Sequence, residues 1–164
     1  MKMTNKYYDT SSLLLVADSL FENKKEDENI IITSITLNEL EHIKTSANKD
    51  QSVKYTARQL LHKLDENPDK WECLPYNIDC LDILEEFKYE VTNDTKILAM
   101  VYHHSNMVQQ LPKFVTNDVA LKMLAIPIFG IDNIESIKID NDDYTGYKEY
   151  YFNEEEMAYF YSNQ

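Results

Sequence analysis

Residues 113–125 read KFVTNDVALKMLA, and this stretch decides the fold class. Lys113–Thr116 has the pattern of a short β-strand, and it runs directly into a helical pattern that includes Leu121 and Ala125. A strand that passes straight into a helix is the repeating unit of an α/β protein, in which helices cover a parallel sheet. The turn between the two elements holds one acid, Asp118.

The same alternation occurs elsewhere in the chain. Residues 6–9 predict a strand that ends at Asp9 and is followed by a helix, and Ile30–Thr33 predicts a buried strand followed by a helix that begins near Thr36. Further predicted elements are a helix over 53–64, an extended piece at Trp71–Pro75, a helix after Thr92-Asn93 and a last strand at Ile126–Phe129. The sequence therefore predicts an α/β fold, a three-layer sandwich with a central parallel sheet flanked by helices.

Composition limits the classes of protein that remain. The 164 residues suit one hydrophobic core, and the two glycines, Gly130 and Gly146, are too few for a GxGxxG or a GxxxxGK phosphate loop. The net charge of −13 disfavours general binding to polyanions, so any contact with nucleic acid has to be local. With no membrane-spanning apolar run, and with Cys73 and Cys80 expected as free thiols, we expect a cytoplasmic protein.

The composition changes after residue 131. Residues 132–156 hold many acids against Lys138 and Lys148, together with many tyrosines. We therefore predict a folded domain over 1–131 and an acidic, tyrosine-rich C-terminal extension over 132–164.

Acids follow the predicted strands, or lie near the start of the next helix, at four separate places. They are Asp9, Glu39, Asp94 and Asp118. Because ligands bind an open parallel sheet beyond the carboxyl ends of its strands, we expect the four carboxylates to meet there. Clustered carboxylates repel one another, and Mg²⁺ or Mn²⁺ relieves that repulsion because these hard cations prefer oxygen ligands. The sequence therefore predicts a metal site suited to attack of water on a phosphodiester.

Each acid also has a structural explanation. Asp9 is placed to cap the first helix. An acid at a helix start interacts favourably with the helix dipole, and this interaction is the alternative explanation for Asp94 and Asp118. The stretch Thr36-Leu37-Asn38-Glu39 fits a capping box, in which Glu39 bonds back to the start of its own helix. The joint pattern favours the metal site, because a cap needs only an oxygen and this chain is rich in Ser, Thr and Asn.

Four segments carry a resemblance to a known family. YYDTSSLLL at 7–15, ITLNELEHI at 35–43, TNDTKILA at 92–99 and VTNDVALKMLA at 115–125 resemble, in order, the four acidic motifs of PIN-domain nucleases. The resemblance extends from Lys6 to Ile131. It implies a PIN-like fold and a metal-dependent endoribonuclease acting on single-stranded RNA with Mg²⁺ or Mn²⁺. The catalytic and metal-binding residues that it implies are Asp9, Glu39, Asp94 and Asp118, with Glu39 bound through water or positioning the nucleophile.

The resemblance also implies supporting residues and a subgroup. Thr116 and Asn117 resemble the family's small polar residues that orient a ligand carboxylate or a metal-associated water, and Ser11 stands where the family often has Asn. YTARQLLHKL at 55–64 and DDYTGYKEY at 142–150 are similar to segments of PhoH-type proteins, whose PIN domain precedes an ATPase domain. A C-terminal ATPase domain or a partner protein is therefore an expected partner.

A local basic stretch offers a track for RNA. Between Lys44 and Lys63 five basic side chains stand against Asp50 alone, and Lys49, Lys54 and Arg58 are the residues that we predict to bind the substrate backbone. The alternative is a solvated helix face, which needs no ligand. The tyrosines considered for stacking against a base are Tyr7, Tyr8 and Tyr55.

Two other functions remain open at this level. The first is a catalytically weak PIN scaffold that acts as an RNA- or protein-binding module. The second is a receiver or phosphatase-like α/β domain in which an aspartate such as Asp9 accepts a phosphoryl group. The oligomeric state is also open, with a homo-oligomer among the alternatives.

Overall fold

The computed structural model describes residues 2–139 of the chain. The strands are β1 (Thr4–Tyr8), β2 (Glu28–Thr33), β3 (Glu72–Leu74), β4 (Lys113–Val115) and β5 (Ile134–Glu135). The helices are α1 (Thr10–Val16), α2 (Ser34–Thr45), α3 (Gln51–Glu66), α4 (Asp79–Phe87), α5 (Asn93–Met107) and α6 (Val119–Phe129), and a 3₁₀ turn covers Ile131–Asn133.

Within the described range, five parallel strands form one sheet in the order β3-β2-β1-β4-β5. The chain builds outward from β1 through β2 to β3 and then returns to β4 on the other side of β1. The strand order therefore reverses between β1 and β4. In open parallel sheets such a switch point leaves a crevice beyond the carboxyl ends of the two strands, and this crevice is where ligands bind.

The side chains of β1 alternate between the two faces of the sheet and so define two cores. Tyr7 is in register with Ile31 and Phe114, and these three pack with α5 and α6. Tyr8 and Val115 point to the opposite face and pack with α1, α2 and α3. Because a strand buried on both faces needs apolar residues at successive positions, the continuous apolar run of β2 marks an inner strand. The predicted three-layer α/β sandwich is confirmed.

The strand order is not that of a receiver domain. Receivers of the flavodoxin-like type have the order 2-1-3-4-5. The sheet described here has the order 3-2-1-4-5. The receiver alternative is therefore wrong for this chain.

The predicted strand at Ile126–Phe129 is also wrong, because these residues form the end of α6. Their apolar, β-branched sequence is typical of a strand, but Leu121, Ala125 and Phe129 follow one another at four-residue spacing on the buried face of the helix. Pro127 lies inside α6, and the helix ends at Gly130, whose φ of 86° is a conformation that suits glycine. Packing against the sheet therefore overrides the local strand preference.

The sheet continues past the proposed division at residue 131. β5 pairs with β4 at 134–135, and Ile137 packs against the core that contains Tyr8. The chain up to 139 thus belongs structurally with the sheet, and the rest of the predicted extension, 140–164, lies outside the described residues.

The region that includes both cysteines is a strand and a helix. The extended piece expected at Trp71–Pro75 is confirmed as β3. The stretch after it forms α4, and Lys88, the residue that caps the end of this helix, has a left-handed backbone conformation. Cys73 is exposed and Cys80 is buried, and both are free thiols, as the sequence predicts.

Candidate metal centre at the carboxyl edge of the sheet

Asp9 follows β1 directly and is 1% exposed. Its carboxylate accepts hydrogen bonds from the Ser11 hydroxyl at 2.9 Å, from the Ser12 backbone N–H at 2.9 Å and from the Thr116 hydroxyl. The bond from Ser12 makes Asp9 the N-cap of α1. Burial raises the pKa of Asp9, while these hydrogen bonds act in the opposite direction. Donors from two neighbouring strand ends therefore hold this carboxylate in one orientation.

Thr116 links Asp9 to the acid that follows β4. Its hydroxyl donates to Asp9 and accepts the Asp118 backbone N–H at 3.1 Å. The Asp118 side chain, which is also buried, accepts the Leu121 N–H at 3.2 Å and so caps α6. The two acids on either side of the switch point are thus joined through one buried hydroxyl. Both of them are helix caps, so the structural explanation holds for each alongside any role as a ligand.

Glu39 lies in the second turn of α2 and is 6% exposed. Its Oε1 accepts the Thr10 hydroxyl at 2.7 Å, whereas Oε2 is buried with no hydrogen-bond partner among the described residues. Burial raises the pKa of Glu39 to about 7, and the charges of Asp9 and Asp118 act in the same direction. A buried carboxylate oxygen without a donor is unfavourable unless another group binds there.

The capping-box interpretation of Glu39 is wrong. The helix begins at Ser34, two residues earlier than predicted, and its N-cap is Thr33, whose hydroxyl oxygen accepts the Thr36 N–H at 3.1 Å. The side chain of Glu39 reaches α1 rather than the start of its own helix. Its position is therefore set by a long-range contact.

Asp94 lies in the first turn of α5 and is partly buried. The cap of this helix is Thr92, which forms a capping box with Thr95, so the Asp94 carboxylate is not used for capping. Burial is the main cause that raises the pKa of Asp94 to about 7. The negative charges of Glu39, Asp118 and Asp9 raise it further, and their contributions decrease in that order. The negative charges of the other three acids therefore act on Asp94 as well.

The donor set fits a hard divalent cation. It consists of carboxylate oxygens and includes a buried oxygen without a partner, and after burial the neighbouring negative charges raise the pKa of Glu39 and of Asp94. Within residues 2–139, however, no three Asp, Glu, His or Cys side chains form a ready-made metal cage.

The two other predicted supporting residues have different contacts. Ser11 donates its hydroxyl to Asp9 and accepts the Asn117 backbone N–H at 3.0 Å, so it lies inside the acidic group. The side-chain amide of Asn117 instead donates to the Ile137 carbonyl at 2.9 Å and accepts the Ile137 N–H at 2.8 Å. This amide connects the end of β4 to the segment after β5, and its two polar atoms are occupied there.

The basic stretch is used partly for structure. Lys63 donates to the carbonyls of Ala17 and Asp18 at 3.1 and 2.8 Å, and Lys44 pairs with Glu41 at 2.8 Å. Among the three residues predicted to bind the substrate, Arg58 is exposed, whereas Lys49 and Lys54 are partly buried. Burial lowers the pKa of Lys49. The track for RNA along α3 is therefore narrower than the sequence suggests.

Two of the three tyrosines considered for stacking are unsuitable. Tyr7 and Tyr8 are core residues with exposures of 1% and 9%, and the Tyr7 hydroxyl is hydrogen-bonded to His104 at 2.7 Å. Tyr55 is exposed on α3. Tyr76, which no sequence pattern singles out, is exposed after β3 and lines a cavity together with Glu39.

Lys96 and Thr10 were also missed. Lys96 lines the same cavity as Tyr76, and Thr10 is the donor to Glu39. The signal available for both was proximity in sequence, since Lys96 is two residues after Asp94 and Thr10 is next to Asp9.

Comparison with protein families agrees with this geometry. The family model described as a PIN domain matches residues 8–145, which is most of the chain. The protein therefore belongs to the PIN-domain family, whose members generally use divalent metal ions. No curated protein matches the chain by sequence.

Solved structures show a likeness of fold. One is a member of the VapBC family of toxin–antitoxin systems, VapBC-5 from Mycobacterium tuberculosis, at 21% identity and a TM-score of 0.51, covering 83% of this chain and 99% of that chain. Another is VapBC-1 from nontypeable Haemophilus influenzae, at 11% identity and a TM-score of 0.45, covering 82% of this chain and 98% of that chain. The first likeness supports the PIN-like architecture.

Within residues 2–139, none of the helices is both long enough and apolar enough to cross a membrane.

Proposed function

We propose that this protein is a metal-dependent endoribonuclease that hydrolyses phosphodiester bonds of single-stranded RNA. The observation that carries the proposal is the pair of buried acids Asp9 and Asp118 beside the β1–β4 switch point, with Glu39 bonded to the neighbouring Thr10 and its Oε2 buried without a partner. No positive side chain of the described chain bonds to these acids. An external cation is therefore the simplest source of compensation.

The chain's own residues have separable roles in this proposal. Asp9, Asp94 and Asp118 hold Mg²⁺ or Mn²⁺, and Glu39 binds through water or positions the attacking water. Such a cation supplies water activation and neutralises charge on the phosphate oxygens. Ser11 and Thr116 orient the Asp9 carboxylate. Thr10 holds Glu39 Oε1, which leaves the unpartnered Oε2 available to accept a hydrogen bond from the attacking water.

The test is cleavage of end-labelled single-stranded RNA with Mn²⁺, with and without EDTA, by the wild type and by Asp118→Asn. Asparagine is as good an N-cap as aspartate, so this variant keeps the cap of α6 while removing one charge. The matched control is Asp82→Asn, an exposed acid on α4. We expect product from the wild type and the control only when Mn²⁺ is present. Wild-type cleavage by Asp118→Asn, or cleavage in EDTA, would contradict the proposal.

One observation favours a second function, a PIN scaffold that binds RNA or protein without efficient cleavage. The described acids do not form a ready-made cage, so a site that stays open would bind metal poorly. In that case RNA is retained by the protein in EDTA as well as in Mn²⁺, and no product is formed in either buffer. The same assay, read also by filter retention, separates the two functions.

Partners and location remain expectations within this proposal. The PhoH-type resemblance implies a C-terminal ATPase domain, and the toxin–antitoxin description of VapBC-5 makes a dedicated protein partner the alternative to examine first. Homo-oligomer formation is tested by the mass of the purified chain in solution. A cytoplasmic location is consistent with the free thiols.

A further inference from the structure

A cavity of about 360 Å³ lies beside the acidic group and shares Glu39 with it. Its walls come from one face of α2 between Ser34 and His42, from the start of α5 and from the segment after β3. The volume is within the range of small-ligand pockets. Glu39, which is 6% exposed and has an unpartnered Oε2, provides the boundary between the cavity and the carboxylates. A ligand in this cavity therefore lies next to the proposed site of hydrolysis.

An aromatic ring and a cation line this cavity together. The Lys96 ammonium lies over the Tyr76 ring, 5.5 Å from its centroid. The Tyr76 backbone N–H donates to the Ser34 hydroxyl at 3.1 Å, which ties the segment after β3 to the start of α2. The ring is therefore attached to a defined backbone while 38% of the residue stays exposed. A partly exposed ring with a lysine over one face is suited to a base, which stacks on the ring, and to the attached phosphate, which pairs with the lysine.

The remaining polar wall can bond to a base without adding negative charge. Asn38 and Asn93 line the cavity with His42, and each amide carries both donors and an acceptor. Such groups pair with the exposed edges of unstacked bases in single-stranded RNA. Lys96 is the lysine among the lining residues, and it can meet one phosphate as a point charge.

We propose that this cavity is a nucleotide subsite for the RNA strand, in which the base next to the scissile phosphate stacks on Tyr76 and a backbone phosphate lies on Lys96. The inference rests on the proposed function in taking RNA as the occupant. It adds a binding element that the basic stretch on α3 does not supply. It also assigns positions along the strand, because the cavity meets the acids at Glu39.

The first test scans a single abasic residue along a labelled single-stranded RNA and measures equilibrium binding by fluorescence anisotropy. Binding is measured in the Asp118→Asn background with Mn²⁺, where the proposed cleavage is blocked. We expect one abasic position to weaken binding by about 5- to 100-fold, the usual size of one base–aromatic stack. Tyr76→Ala weakens binding of the intact RNA by a similar factor and removes the penalty at that position, because the two changes delete the same contact.

Two control variants separate stacking from a structural role. Tyr76→Phe keeps the ring, so the abasic penalty at that position stays. Met123→Ala removes an exposed apolar side chain on α6 outside the cavity, and it also leaves the penalty at that position unchanged. Retention of every abasic penalty in Tyr76→Ala overturns the proposal. So does the absence of any abasic penalty in the parent, or the absence of RNA binding.

The second test measures the salt dependence of the same binding reaction. Lys96→Met keeps the apolar stem and removes the charge. Loss of one phosphate contact on a single strand lowers the slope of log K against log salt by about 0.7. An unchanged slope overturns the role of Lys96.

The failure of the subsite and the failure of the nuclease proposal are distinguishable. Wild-type protein that gives no product with Mn²⁺ contradicts the nuclease activity, while the binding measurements still decide the subsite. Conversely, normal metal-dependent cleavage with an unchanged abasic penalty in Tyr76→Ala overturns the subsite alone.

Discussion

Two groups of charged side chains lie close to β1, and they differ in how their charge is compensated. One group surrounds Lys6 within the strand, and the other is the group of acids that includes Asp9, which follows the strand. Lys6, in the middle of β1, pairs with Glu28 at 3.3 Å and with Glu135 at 3.2 Å, so both acids of this group have a positive partner within the chain itself. The four acids beyond the carboxyl end have no such partner among the described residues, and Glu39 Oε2 has no donor either. The acids around Lys6 therefore have a compensating positive charge within the chain, whereas the four acids beyond β1 do not, and these two arrangements are called below the complete and the incomplete group.

The pKa directions express the same difference. Burial raises the pKa of Glu28, but the Lys25 backbone N–H and the charge of Lys6 outweigh it, and the net shift is downward. For Glu39 and Asp94, burial and neighbouring negative charge act together, and both pKa values rise to about 7. A partly buried acid whose pKa is lowered by a lysine indicates a structural pair, whereas acids whose pKa is raised by burial and by neighbouring acids are typical of a site that binds a ligand.

The largest expected effect comes from removing a charge at the incomplete group. Asp9→Asn keeps the N-cap of α1, and the neighbouring Ser11 and Thr116 hydroxyls can rotate to accept from the new amide. We expect Mn²⁺-dependent RNA cleavage to fall on the order of 10³-fold, since several kcal/mol of transition-state charge stabilisation depend on the cation. Single-turnover cleavage rates measure this. Glu85→Gln, an exposed change on α4, is expected to leave the rate unaltered, and a fully active Asp9→Asn would break the comparison.

The next effect is on stability without metal. Glu39 and Asp94 have folded pKa values of about 7, against ordinary values of 4.5 and 3.8, so the folded chain binds more protons than the unfolded chain between about pH 4 and 7. Stability that is present at low pH is therefore lost as the pH rises through 7.

Glu39→Gln removes part of this loss. In EDTA at pH 8 the variant is expected to be more stable than the wild type by on the order of 1–3 kcal/mol, because one pKa unit corresponds to about 1.4 kcal/mol. Urea unfolding at pH 5 and at pH 8 checks it. Parallel pH dependences for the variant and the wild type would show that Glu39 is not the source.

A third effect is stabilisation by the cation. Mn²⁺ at a hundred times its dissociation constant is expected to raise the free energy of unfolding by about 2.7 kcal/mol. For a domain of this size, Tm then rises by roughly 2–4 °C per kcal/mol. Differential scanning calorimetry in EDTA and in Mn²⁺ measures the shift. The double variant Asp9→Asn/Asp118→Asn should lose the Tm shift caused by Mn²⁺, whereas Asp82→Asn should keep it. An equal shift in the wild type and in both variants would show that the ion binds elsewhere.

The smallest effect tests the complete group. Glu28→Gln removes one partner of Lys6, which keeps Glu135, and we expect a loss of about 1–2 kcal/mol of stability at pH 8 in EDTA. The sign is opposite to that of Glu39→Gln under the same conditions. If both variants stabilise the protein, the contrast between the two groups disappears.

The α/β class and the positions of the acids were predictable because they depend on local patterns. Pairs of consecutive apolar residues, Tyr7-Tyr8 and Phe114-Val115, mark β1 and β4, and an acid at a strand end or near a helix start is visible in the sequence. The end of α6 was mispredicted because Ile126–Phe129 has local strand preference, and a helix there depends on the buried face that the sheet provides. The burial of Tyr7 and Tyr8 could not be predicted from the sequence either. These adjacent side chains point to opposite faces of β1, so both are buried only because helices cover both faces of the sheet.

The amino-acid order alone accounts for the alternation of strands and helices and for the oxygen ligands at their junctions, because these depend on periodicity and on short-range hydrogen bonding. Folding in three dimensions decides the rest. Thr10 meets Glu39 across 29 positions, Thr116 meets Asp9 across 107, and Tyr76 and Lys96 share a cavity with α2. Such contacts arise from the order of the strands and the packing of helices on both faces, and no local pattern encodes which oxygen is left buried without a partner.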